Sequence, residues 1–218
     1  MVLNYYLSEL RNSLPQDYQH LDTRLLTRIL NQFRTIYIKN QYNQNRTIDE
    51  NLAQEIDFQV DITDQSTIGY INTTDRILKS KLELPNVVKL SHRDMVLSVR
   101  NPKILADSYN FLTKSQAVYA GNGRFNKEDI FAFLYKNHLY LKLKKENPKI
   151  GLITVVSMFA IFEDPLECIP FQTNEYVDPR DYEYPMTDTI WGYVKANILR
   201  DGMGAIQANL VEEQKQDE

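Results

Sequence analysis

Cysteine is nearly missing from this 218-residue chain, with Cys168 its single example. No intrachain disulfide can form, and no Cys-based metal site can be assembled. A reducing compartment fits, as does a particle assembled in cytoplasm. Cys168 sits between Glu167 and Ile169 with no flanking cation to lower its pKa, so it reads as a buried, inert thiol. Histidine is almost as scarce. His20, His92 and His138 form no His-x-x-x-His pair and no His–carboxylate metal spacing. Glycine and proline number 7 and 8, too few for a collagen-like or linker-dominated chain. Long apolar runs are missing too. The longest, Gly151 to Phe162, falls short of the roughly 20 residues a membrane-spanning helix needs. Met1-Val2-Leu3-Asn4-Tyr5 lacks the basic-then-apolar pattern of a signal peptide. Net charge is −4, so nothing global points to nucleic acid or an anionic membrane.

Signs of catalysis are equally thin. Gly121-Asn122-Gly123 is followed by no Lys-Ser/Thr and opens no helix, so it reads as a hairpin turn between aromatics rather than a phosphate cradle. No Gly-x-Ser-x-Gly elbow occurs. Asp61, Asp64 and Asp75 with Lys79 form the nearest thing to an acidic cluster, and a solvated strand edge is the plainer reading. The residues therefore predict no catalytic group, no metal and no cofactor.

What is present is enough apolar and aromatic content, 43% and 11%, to fill a core. Tyrosine is abundant at 14 residues. Its apolar body and polar tip suit both strands and surfaces that become buried on assembly.

The order of elements is helices, strands, helix. A first helix is expected from Leu3 to Ser13, stopped where Pro15 disfavours helical geometry at Leu14. A second starts after Asp22 as N-cap and runs to about Tyr42. It places Leu25, Leu26, Ile29, Leu30, Phe33, Ile36 and Tyr37 on one arc, with Arg24, Arg28, Thr35 and Lys39 opposite. Thr47 and Glu50 have capping-box spacing for a further short helix. Phe58 to Thr63 alternates as a half-buried strand, and Met95 to Val99 and Gly151 to Phe162 read as further strands. Asn72 to Lys81 is assigned a short helix. Ile130–Tyr135, Lys136-Asn137 and His138–Leu143 make the clearest hairpin, because Asn137 tolerates positive φ. Glu163 to Glu183 is acidic and proline-punctuated, which suits an extended connector. Thr187 then caps a last helix carrying Ile190, Trp191, Val194, Ile198 and Leu199 at helical spacing, which the glycines at 202 and 204 stop or kink.

The expected fold is therefore α+β: N- and C-terminal helices forming a helical bundle, with a central antiparallel β-rich insertion. The expected parts are a helical 1–56, a β-rich 57–163, an acidic connector 164–186, and a C-terminal helix and tail 187–218 packing with 1–56. Charge is segregated along the chain. Arg11, Arg24, Arg28, Arg34, Lys39 and Arg46 make one basic stretch, Lys136 to Lys149 a second, and 163–183 is acidic. Opposed patches of this kind let copies meet head to tail, and such contacts close into rings when the rotation allows.

One resemblance sharpens this. Leu14-Pro15-Gln16-Asp17-Tyr18-Gln19-His20-Leu21-Asp22-Thr23-Arg24-Leu25-Leu26, with Asn31 to Asn45 after it, resembles head-to-tail connector proteins of short-tailed bacteriophages, in particular the ring proteins of crAss-like phages. Tyr184-Pro185-Met186-Thr187-Asp188, opening the final helix, is similar as well. The likeness covers the first 50 or so residues and the last 35 or so, through the order of elements. It implies a non-enzymatic virion subunit at the head–tail junction, assembled in the host bacterial cytoplasm. Its implied partners are the portal protein, neighbouring copies in a dodecameric ring, and the next tail or ring protein. DNA would pass only as cargo, and no membrane is involved. Another tail-completion protein, or an oligomeric virion binding protein without catalytic activity, is the alternative. The expected contact residues are Arg24, Arg28 and Lys39 towards portal or neighbour, with Tyr184, Trp191 and Tyr193 anchoring the C-terminal helix.

Overall fold

The computed structural model describes every residue except 46, 48, 70–73, 122–128, 174–175 and 203–218. In chain order the helices are α1 (Leu3–Ser13), α2 (Thr23–Asn45), α3 (Lys114–Tyr119), α4 (Ile169–Gln172) and α5 (Asp188–Asn197). The strands are β1 (Gln54–Thr63), β2 (Asp75–Ser80), β3 (Val96–Asn101), β4 (Ile104–Ser108), β5 (Asn110–Phe111), β6 (Phe131–Tyr135), β7 (His138–Lys144) and β8 (Val155–Ala160). They fall into two compact units: residues 1–53, 163–166 and 175–218 form one, and residues 54–162 and 167–174 the other.

The first unit is built on a clasp between distant parts of the chain. α1 begins without a side-chain cap, so its first N–H groups need other acceptors. The N–H of Leu3 donates to the carbonyl of Tyr182, and that of Asn4 to the carbonyl of Arg180. Val2 bridges Glu183, and the N–H of Tyr184 donates to the carbonyl of Met1. α1 ends at Ser13 because Leu14, ahead of Pro15, is extended (φ −78°, ψ 152°). α2 packs on α1 and on α5. α5 follows Thr187 in the N-cap position and runs into a π-helical turn, Ile198–Gly202.

The second unit is a mixed eight-stranded sheet in the order β4-β3-β8-β1-β2-β7-β6-β5. Its two edge strands are consecutive in the chain, separated by Tyr109 alone. β4 pairs with β3 antiparallel, and β5 pairs with β6 parallel. The segment 104–111 thus joins the two ends of the sheet, which wraps into a nearly closed barrel of seven strands when β4 and β5 are counted as one. β1 is the opposite corner: Gln54 to Gln59 pairs with β8, and Val60 to Thr63 with β2. Its even-numbered residues from Gln54 to Val60 face inward and its odd ones outward.

This corrects the expected fold class. The architecture is not a helical bundle carrying an antiparallel insertion. A sheet dominates the core, it contains a parallel pair, and α1 and α5 are only 11 and 10 residues long. The physical reason is partly hidden strand content. Residues 72–81, expected as a helix, contain β2, which buries Ile77 and Leu78 on opposite faces and so lacks the polar alternation of a half-exposed strand. The expected strand over 151–162 is shorter, with a 3₁₀ turn at Ile150–Leu152 before β8. The short helix expected near Thr47 is a 3₁₀ turn, Glu50–Leu52, capped by Asp49 instead. The Gly-Asn-Gly turn lies outside the described residues from Asn122 onward.

Candidate assembly surfaces

In the first unit an aromatic cluster fixes the C-terminal helix. The ring of Tyr6 on α1 meets Trp191 at 5.1 Å and Tyr184 at 6.0 Å, both edge-on. The Tyr6 hydroxyl donates to the carbonyl of Met186 (2.9 Å), and that of Tyr184 to the side-chain oxygen of Asn31. Burial pushes the Tyr184 hydroxyl well above the ordinary tyrosine value, so it stays protonated and a donor. Beneath it lies Arg34, wholly buried on α2. Its guanidinium donates to the carbonyls of Leu52 (2.9 Å) and Pro185 (3.2 Å) and stands 5.7 Å from the Tyr184 ring centre. One side chain thereby ties α2 to two segments far apart in the chain. At the rim, Glu9 accepts from the indole N–H of Trp191 and from Lys195, both at 2.7 Å. The hydrogen bond from Lys195 is the main cause holding the Glu9 carboxyl below its usual range.

The residues expected to make contacts divide accordingly. Tyr184 and Trp191 are buried in this cluster and support α5 from inside. Arg24 and Arg28 are exposed, Lys39 is half-buried, and Tyr193 is 48% exposed with its ring 4.9 Å from that of Tyr37. Ile36, expected on the apolar arc, is 49% exposed instead and joins this outer stripe. The buried row of α2 is Leu26, Leu30, Arg34 and Ile38. Arg34 was missed because its charge placed it with the polar residues. The i+4 spacing from Leu26 and Leu30 was the signal that marked it as inward.

In the second unit the acidic trio does three separate jobs. Asp61 meets Lys81 at 3.4 Å in solvent, and Asp64 accepts from the N–H of Ser66 to cap a 3₁₀ turn. Asp75 is not solvated. It is wholly buried, 2.6 Å from Lys144 and 3.4 Å from Lys142. Lys142 also donates to the carbonyls of Ala117, Val118 and Ala120, at 2.9, 2.9 and 2.8 Å. These are the open acceptors at the C-terminal end of α3. The ammonium thus closes that helix onto a small core of Ile68, Ile77, Ala117, Phe133 and Tyr140. Burial lowers the Lys142 pKa below the ordinary lysine value, and Asp75 opposes that shift. Two cations of the expected basic patch are therefore spent inside the fold.

Among the described residues, no group of three or more His, Cys, Asp or Glu is placed to hold a metal ion. Among them, no helix is long and apolar enough to cross a membrane. Cys168 is buried. What the surface does offer is two charged, partly apolar strips on the first unit. One is the outer stripe of α2. The other is the clasp, where Val2 and Tyr5 are 41% and 48% exposed beside the acids at 178, 181 and 183. Comparison with known families matches residues 5–218 to the family described as phage tail ring protein 2. No curated protein matches the chain.

Proposed function

We propose, from the premise that this chain belongs to the phage tail ring protein 2 family, that it is a structural subunit of the head-to-tail connector of a crAss-like phage virion. The family match over nearly the whole chain carries this reading. Copies join as a dodecameric ring that docks on the portal and passes the next tail or ring protein its footing, with DNA crossing the central channel as cargo. Assembly takes place in the host cytoplasm. The work of the subunit is assembly rather than catalysis, since many individually weak contacts repeated around a ring sum to a stable particle. Arg24, Arg28, Lys39 and Tyr193 supply the contact surface to portal or neighbour, while Tyr184 and Trp191 hold the frame of α5 behind it.

The test is mass photometry of the chain alone and mixed with the portal ring of the same virion. The portal complex is expected to gain a fixed multiple of 25.6 kDa, and the multiple gives the copy number. A portal that gains no mass at any ratio or salt concentration sinks the docking step and favours a ring further down the tail or another oligomeric virion protein.

A further inference from the structure

α2 is 23 residues long and carries four cations and no carboxylate. Its exposed arginines therefore have no i±4 acidic partner on their own helix. Arg24 and Arg28 are exposed and Lys39 half-buried along one side of α2, with Ile36 exposed one turn from Lys39. At 100° per residue, Arg24, Arg28 and Lys39 sit about 80°, about 120° and about 140° around the helix from Arg34.

Arg34 marks the side of α2 that faces the clasp, since it bonds the carbonyl of Pro185, and Asn31 bonds Tyr184. The clasp itself exposes Asp178, Asp181 and Glu183, with Arg180 among them, beside the apolar Val2 and Tyr5. The first unit thus carries two strips of opposite charge, each with apolar surface inside it. Arg28 and Lys39 lie well round α2 from Arg34, while Arg24 lies about 20° from Asn31, at the border of the clasp-facing side. Two such strips have the surface anatomy of an interface with a polar rim. A closed ring needs such a pair, because a head-to-tail contact joins two different patches on every copy.

We infer that the basic stripe of α2 on one copy docks on the acidic clasp formed by residues 1–5 and 178–183 of the next copy. The occupant of each strip is a second copy of this chain. This rests on the ring reading above and names the two surfaces that ring would use. Opposite charge sets the register and speeds encounter, and the apolar residues are dehydrated on contact.

Two charge-reversed chains test it. One carries Arg24→Glu and Arg28→Glu, the other Asp181→Lys and Glu183→Lys. All four side chains are exposed, and circular dichroism checks that each variant folds. Mass photometry is read at low salt, with and without portal. Each variant alone is expected to weaken self-association by about tenfold or more, because like charges then face each other at every contact. Mixed in equal amounts, they are expected to re-form the wild-type oligomer in alternating order, since each reversed strip meets a reversed partner. If either folded variant assembles as well as wild type, or if the mixture fails to recover, the assignment of these surfaces is wrong. A wild-type chain that never self-associates, even on the portal, overturns the ring reading itself, and that result is distinct from the other two.

Discussion

Each unit of this protein buries a cation, and the two do so by different chemistry. In the helical unit Arg34 donates to the carbonyls of Leu52 and Pro185 and lies against the face of Tyr184. Its fork of donors spans segments that are remote in sequence. In the barrel Lys142 is balanced by a carboxylate, Asp75, and turns its donors on the end of one local helix. Arginine stays charged however deeply it is buried, so carbonyls suffice. Lysine gives up its proton more readily when desolvated, so a counter-ion is needed to keep it a cation. Long-range hydrogen bonds to the carbonyls of Leu52 and Pro185 thus help to stitch the first unit, and a coupled ion cluster the second.

The largest effect should come from removing the counter-ion. Asp75→Asn leaves Lys142 and Lys144 without their buried anion and is expected to cost about 3–5 kcal/mol of stability, read by chemical denaturation. The pH dependence has a definite sign. A lysine whose folded pKa is lowered costs stability while it is protonated, and that cost is relieved as pH rises towards the ordinary lysine value. The substitution removes the group that opposes this lowering. The gap between variant and wild type should therefore narrow from about pH 7 to about pH 10. A gap independent of pH would mean that Lys142 does not depend on its counter-ion, and the contrast between the units would collapse.

Arg34→Met comes next. It keeps much of the apolar volume but orphans the buried carbonyl of Leu52 and the part-buried one of Pro185, for an expected loss of about 2–4 kcal/mol. Hydrogen exchange should speed up in α2 and at residues 182–186 while the barrel strands keep their protection. Arg34→Lys should recover little of this, since one ammonium lacks the planar fork that reaches both carbonyls. Full recovery would show that charge alone matters at this position.

How much of this was legible in the sequence follows from the range of each interaction. The hairpin was read in full, with Lys136 and Asn137 at φ 48° and 56° between β6 and β7, because turn chemistry is local. So were α1 with its stop at Leu14 and the cap position of Thr187. β2 was not, because a strand buried on both faces loses its period-two signature. Nor was the role of Asp75, since its partners on β7 are about 70 residues away and become neighbours only through strand pairing. The outer face of α2 is half legible: helical period puts Arg24 and Arg28 outside, but the same period puts Ile36 on the apolar arc, where it is 49% exposed. Local rules reach caps and turns, and they do not reach which side of a helix the rest of the chain will cover.

A surface pair gives the smallest effect and the sharpest control for the buried cations. Glu9 joins α1 to α5 through Trp191 and Lys195, with side chains 35% and 23% exposed for Glu9 and Lys195. Solvent screens such a pair, so Glu9→Gln is expected to cost about 0.5–1 kcal/mol at neutral pH. The folded carboxyl titrates below its ordinary range, chiefly through its hydrogen bond from Lys195. Its contribution is therefore complete above the unfolded pKa and is lost as pH falls through the folded one. In acid the two proteins should converge, and added salt should shrink their difference at neutral pH. The loss in Arg34→Met should persist under both conditions, because a guanidinium bonded to carbonyls has nothing to titrate and little solvent around it. If salt and acid erased the Arg34 effect as well, that cation would be held by an anion after all, and the two units would bury charge in the same way.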